Sequence, residues 1–142
     1  MGYKVIFIQQ IKNLSSAETD ILKNKRAAKM HAKDFLESYF NNLRKNLEDE
    51  ISASDWFSFE IEIKYYKIKL GDDYILSIPR FMHEKISVPD EINVAIRIRG
   101  REDNDTLKII GNEFVSEKYG VSLDEELMDI YLQQTFSGFF EK

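Results

Sequence analysis

Of the residues most often used for acid–base, nucleophilic or metal chemistry, histidine is scarce and cysteine absent in this chain. His31 and His83 are its two histidines, and it contains no cysteine. A zinc site needs three or four converging His, Cys or carboxylate ligands. The two histidines stand far apart, with Lys29 and Lys33 flanking His31, so no metal and no cofactor is expected. Without cysteine there is no thiolate nucleophile and no disulfide, and a reducing, cytoplasmic setting is expected. The glycine patterns that cradle phosphates and the strand-turn nucleophile motif G-x-S-x-G are both absent. Paired carboxylates are plentiful (Glu60 and Glu62, Asp72 and Asp73, Asp124 to Glu126), yet turn formation and helix-dipole complementation account for them equally well. An enzyme built on a carboxylate site is therefore kept as a third reading.

Two groups of cations could do binding chemistry. The stretch from Lys23 to Lys33 holds Lys23, Lys25, Arg26, Lys29 and Lys33 with no acid among them. On a projecting helix, such a group can meet phosphates or an acidic protein. The second group, Arg97, Arg99 and Arg101, alternates along a predicted strand. It reads either as a guanidinium ladder for anions or as cross-strand partners of Glu60 and Glu62; the ion-pair reading is the simpler. From Asp103 to Lys142 there are nine acids against three bases. Asp124, Glu125 and Asp129 fall in a predicted helix there. Phe114 to Ser122 looks like the corner of a helix-turn-helix, but those acids would repel a phosphate backbone. The corner then reads as structural, with an acidic face for protein contact.

The elements that must position these groups follow from periodicity. Tyr3 to Gln10, with Val5 and Phe7 against Ile6 and Ile8, predicts a strand apolar on both faces. Ser15 and Glu18 have capping-box spacing. Ile21, Ala28, Ala32, Phe35, Leu36, Tyr39, Leu43 and Leu47 then mark a helix that no Gly or Pro interrupts from Ser16 to Ile51. At about 1.5 Å per residue, ~30 residues span about 45 Å, more than a domain of this size can cover. This helix should overhang, bend, or pack against another subunit.

Phe57, Phe59, Ile61, Ile63 and Tyr65 alternate with polar residues, and the phase flips at Tyr66, which calls for a bulge near Tyr65 or a break in the strand. Strands at Tyr74–Ile78 and Ile92–Arg99 follow. A helix is expected from Thr106 to Lys118, capped by Asn104 or Asp105 and closed by Gly120. The last helix runs from Leu123 to about Ser137 behind a second capping box, Ser122 and Glu125. The expected fold is α+β in the order β-α-β-β-β-α-α: one domain over residues 1–142, an antiparallel sheet with the long helix and a C-terminal helix pair packed on it.

At 142 residues, 43% hydrophobic and 13% aromatic, the chain can bury a sizeable core, and its net charge of −5 disfavours general nucleic-acid binding. The apolar run at the start stops at Gln9, too short for a secretion signal, and no stretch suits a membrane span. The functional expectation is a small non-enzymatic protein that acts by binding another macromolecule, a protein first. By general type this covers inhibitors, immunity proteins and accessory factors of phages or mobile elements. Lys25, Arg26, Lys29, Lys33, Asp124, Glu125 and Asp129 are the expected contact residues, with a homodimer through the long helix as a further expectation. The alternative is an RNA- or DNA-binding module using residues 23–33 and Arg97, Arg99 and Arg101.

Overall fold

The computed structural model describes residues 2–81 and 88–141; His83 and most of the irregular stretch between Pro79 and Pro89 lie outside them. Helix α1 runs without interruption from Tyr3 to Asn46, 44 residues, or about 66 Å at about 1.5 Å per residue. Leu47 ends it, and a short α2 follows at Glu48–Ala53. The strands are β1 Phe57–Ile61, β2 Tyr65–Leu70, β3 Tyr74–Pro79, β4 Glu91–Ile98, β5 Arg101–Glu102, β6 Asp105–Ile110 and β7 Glu113–Ser116, and α3 spans Glu125–Phe140. They form one antiparallel sheet in the order β1-β2-β3-β4-β6-β7, with β5 paired to β4. The α+β class with a long helix and a C-terminal helix on an antiparallel sheet stands as expected.

Two elements differ from the sequence reading. Tyr3 to Gln10 is helix, not strand. A run of Val, Ile and Phe fits either state, and Asn13-Leu14-Ser15-Ser16 lacks the Gly or Pro that would stop a helix. Instead the polar residues bond within it: Thr19 Oγ1 donates to Ser15 O at 2.8 Å, and Gln9 Nε2 donates to Asn13 Oδ1 at 3.1 Å. Ser15 and Glu18 therefore cap nothing. The second difference is Thr106–Lys118, which is the β6–β7 hairpin rather than a helix. Gly111, at φ +65°, takes the first turn position, which a two-residue hairpin reserves for glycine. Leu107 and Phe114 are buried as expected, but Ile110 is 66% exposed.

Smaller corrections follow from these. The helix-turn-helix-like corner is β7 and a turn, with Gly120 N donating to Ser116 O at 2.8 Å. Helix α3 is capped by Asp124, whose side chain accepts from Leu127 N at 3.1 Å, while Ser122 Oγ donates to Glu113. The phase flip between β1 and β2 is a strand break: Glu62 N donates to Tyr65 O at 2.9 Å, and Ile63 in the loop is 69% exposed.

One face of the sheet carries the core and the other is solvated, the usual division for antiparallel sheets. Ile92, Val94 and Ile96 of β4 point into the core, and Asn93, Ala95 and Arg97 point out. Helix α1 crosses β7 and ends over β1 and β2, where the Phe40 ring stacks on Tyr66 at 4.4 Å and meets Phe59 edge-on. Helix α3 lies on β3 and β4. Only the second half of α1 contributes to this core, through Ala28, Ala32, Leu36 and Phe40.

Candidate functional site

Residues 3–22 of α1 are exposed throughout and project from the body as an arm of about 30 Å. Tyr3 (68% exposed), Phe7 (52%), Ile11 (50%), Leu14 (63%), Ile21 (56%) and Leu22 (54%) follow the three- and four-residue spacing of a single helix face. Interrupted on this face by Glu18 and Lys25, the stripe continues into Ala28, Ala32, Leu36 and Phe40, which the sheet covers. One apolar stripe thus runs the length of α1, half of it packed and half bare. At the far end Val5, Ile6 and Ile8 are also 43–54% exposed, so that end is apolar on nearly every side. A helix that is merely solvated seldom carries so much bare apolar surface.

Where the arm leaves the body there is a notch of about 440 Å³, lined by Ile21, Asn24 and Lys25 of α1, Asp90 and Glu91 at the start of β4, and Lys108, Ile109 and Gly111 of the β6–β7 hairpin. Lys29 and Lys25 reach Asp90 at 2.9 and 3.3 Å and hold its carboxyl below the usual range, Lys29 contributing most. Lys108 lies between Glu117 and Glu91, which raise its pKa.

The expected contact residues do not form one surface. Lys25 and Lys29 are paired with Asp90, Lys33 is half-buried, and Arg26 is exposed. Asp124 caps α3. Glu125 and Asp129 line a polar cleft of about 260 Å³ between α1 and α3, with Tyr39 and Asn42 opposite. Burial, then Asp129 and Glu125, push the Tyr39 hydroxyl up to about 12. The His31 Nε2 lies 3.3 Å from Leu123 O, and its ring stacks on Phe35. No three His, Asp or Glu side chains converge among the described residues.

The expected pairing of Arg97 and Arg99 with Glu60 and Glu62 does not occur, because β2 and β3 separate β1 from β4. Glu60 stands opposite Lys67, and Arg97 opposite Ile75 and Glu102. The three arginines form no ladder either. Arg97 is on β4, Arg99 sits in the turn at φ +52° with Gly100 at +78°, and Arg101 begins β5. Among the described residues none of the three makes an ion pair.

Two polar clusters brace the body. The Glu37 carboxylate of α1 takes a bidentate grip from Arg80 at the end of β3 (2.7 and 3.0 Å) and accepts the Tyr66 hydroxyl. Arg80 also donates to Glu62 O at 3.0 Å. The Arg80 hydrogen bonds lower the Glu37 pKa to about 2, with Tyr66 and Asn41 adding to the effect against burial. Asp105, 4% exposed, accepts from Ser116 Oγ (2.5 Å), Tyr131 OH (2.6 Å), Thr106 N (2.8 Å) and Lys118 N (3.1 Å). These clusters hold the elements together.

At the opposite end of α1, Leu43, Leu47, Trp56, Phe57, Leu132 and Phe140 line an apolar cleft of about 480 Å³. Trp56 stacks on Phe139 at its edge. No helix among the described residues is long and apolar enough to cross a membrane. No family model, curated protein or solved structure matches the chain.

Proposed function

We propose that this chain is a non-enzymatic binding protein whose working surface is the arm and whose target is another polypeptide. The observation that carries this reading is the bare continuation of the α1 stripe. Tyr3, Phe7, Ile11, Leu14, Ile21 and Leu22 have the spacing of anchors that lie in an apolar groove or beside another helix. Phosphate would be a poor partner for this surface. From Tyr3 to Leu22 the arm has Lys4 and Lys12 balanced by Glu18 and Asp20, whereas phosphate binding grows with each cation supplied. The basic stretch beyond it is partly neutralised by Asp90. Inhibitors, immunity proteins and accessory factors of phage or mobile-element type are the general kinds of small chain that act in this way.

The test compares wild type with Phe7→Glu combined with Leu14→Glu, both on the exposed arm. The double variant should fold and melt like wild type at its body while losing polypeptide binding, read by nuclease-treated capture and confirmed with the purified partner. In parallel, fluorescence anisotropy with duplex DNA and single-stranded RNA at physiological salt should show no binding. A submicromolar, salt-sensitive complex with either nucleic acid, weakened by Arg26→Glu and indifferent to Phe7→Glu, would overturn the reading.

A further inference from the structure

We infer that the apolar cleft at the body end of α1 is a binding site for a small single-chain amphiphile, an alkyl body with an ammonium head. The inference goes beyond the reading of the arm and does not depend on it.

Shape and wall chemistry select the body of the ligand. Helix α1 ends over β1 and β2 while α3 lies on β3 and β4, and the cleft opens between the two helices down to the sheet. Ile68 and Leu70 of β2, 5% and 6% exposed, form its floor. Leu43 and Leu47 stand on the α1 side, Leu132 and Phe136 on the α3 side, and the surface between them is almost wholly apolar. At about 480 Å³ the cleft has the size of a small-ligand site, which runs from about 300 to 1,000 Å³. An extended peptide laid there would bury backbone N–H and C=O groups against walls without partners for them. An alkyl chain has no such groups, and each methylene it buries gains affinity.

Charge selects the head. The segments beside the cleft, residues 47–63 and 119–141, hold six and five acids and no base. Glu50 is at the rim, exposed and without an ion pair among the described residues. Arg44 and Lys45 fall between Leu43 and Leu47 in sequence, but the helical turn leaves both off the lining. Lys67 and Lys69 alternate with Ile68 and Leu70 on β2 and so belong to the other face of the sheet. An ammonium group at the mouth therefore meets Glu50 unopposed, whereas a carboxylate head would be repelled. The polar lining residues Gln133 and Ser137 carry no charge to alter that sign.

Trp56 lines the cleft and is the chain's single tryptophan, so its emission reads occupancy directly. Titration with decylamine, kept below its aggregation concentration, should give a saturable change in that emission and raise the melting midpoint. Decanoate, with a carbon chain of the same length, should bind at least about threefold more weakly, and the gap should close as salt is added. Octylamine should bind roughly tenfold more weakly than decylamine. Glu50→Lys, at an exposed position, should reverse the order of decylamine and decanoate. Ser137→Phe should weaken both at least about tenfold by filling the cleft, and Phe7→Glu with Leu14→Glu on the arm should weaken neither. No saturable change with decylamine, equal or tighter binding of decanoate, an order unaltered by Glu50→Lys, indifference to Ser137→Phe, or a lowered melting midpoint would each overturn the inference. A cationic amphipathic helical peptide that saturates the Trp56 signal below the concentration needed for decylamine would overturn it too, by making a polypeptide the occupant.

Discussion

Glu37 and Asp105 are both carboxylates bound by several donors, but they should respond to perturbation differently. Glu37 has Arg80 as a full counter-charge and a pKa lowered from 4.5 to about 2. A depressed folded-state pKa stabilises the fold at every pH above the unfolded value. That contribution is lost as pH falls from about 4.5 toward about 2 and the carboxylate is protonated. At neutral pH it is on the order of 2–3 kcal/mol at most. Glu37→Gln should lower the neutral-pH midpoint of urea unfolding and flatten its dependence on pH over that window. Asp105 forms no ion pair among the described residues, and four hydrogen-bond donors hold it in a buried pocket. Asp105→Asn keeps an acceptor for the two backbone N–H groups and should cost about 1 kcal/mol. Asp105→Ala orphans them and both hydroxyls and should cost several times that, roughly 3 kcal/mol or more. Equal losses in the two Asp105 variants, measured by denaturant titration, would show that the carboxylate does not organise the cluster.

Among the elements, those with one clear period were legible in sequence and those with two were not. Ala28, Ala32, Leu36 and Phe40 admit only a helix, and Tyr74–Pro79 and Glu91–Ile98 alternate cleanly, so α1 beyond Ser16, β3 and β4 lie close to where the pattern puts them. In residues 105–116, Leu107, Ile110 and Phe114 fit a helical stripe while Thr106, Ile109, Ile110 and Val115 favour strand. The deciding signal was Gly111-Asn112 at the centre, a turn pair that spacing alone does not weigh. The start of α1 failed for the opposite reason: nothing marks a boundary there, and the strand reading required one. The arm residues Tyr3, Phe7, Ile11 and Leu14 were missed with it, although their three- and four-residue spacing was present. Where backbone freedom is unused, the element can be improved. Gly138 lies within α3, and a Cβ there would meet Tyr74 and Arg99 at 3.5–3.6 Å, ordinary contact distance. Gly138→Ala should therefore raise stability by about 0.4–1 kcal/mol, measured as a higher thermal midpoint.

For the whole molecule, the arm makes helix content depend on cover. About 20 residues of helix without tertiary contacts are marginal in water, because nucleation is costly and propagation barely favourable. An arm covered by a partner has no such limit. Warming the free chain from about 5 °C to about 35 °C should reduce helical ellipticity at 222 nm while the near-ultraviolet signal of the body holds steady. Amide exchange should localise the change to residues 3–24, leaving Leu36 and Phe40 protected. A far-ultraviolet signal that holds over that range, with slow exchange along the arm of the free chain, would show that the arm is helical without cover.

The apolar stripe of α1 also sets an order of events during synthesis. Residues 3–46 leave the ribosome before any strand exists, and the face that Phe40 and Leu36 will bury waits for a sheet that closes only with β7 and α3. At about 5–20 residues per second, the interval between Phe40 and Phe136 lasts on the order of 5–20 s. Throughout it, the half of the stripe that the sheet will cover is as bare as the arm, and apolar side chains along both halves of α1 stand uncovered together.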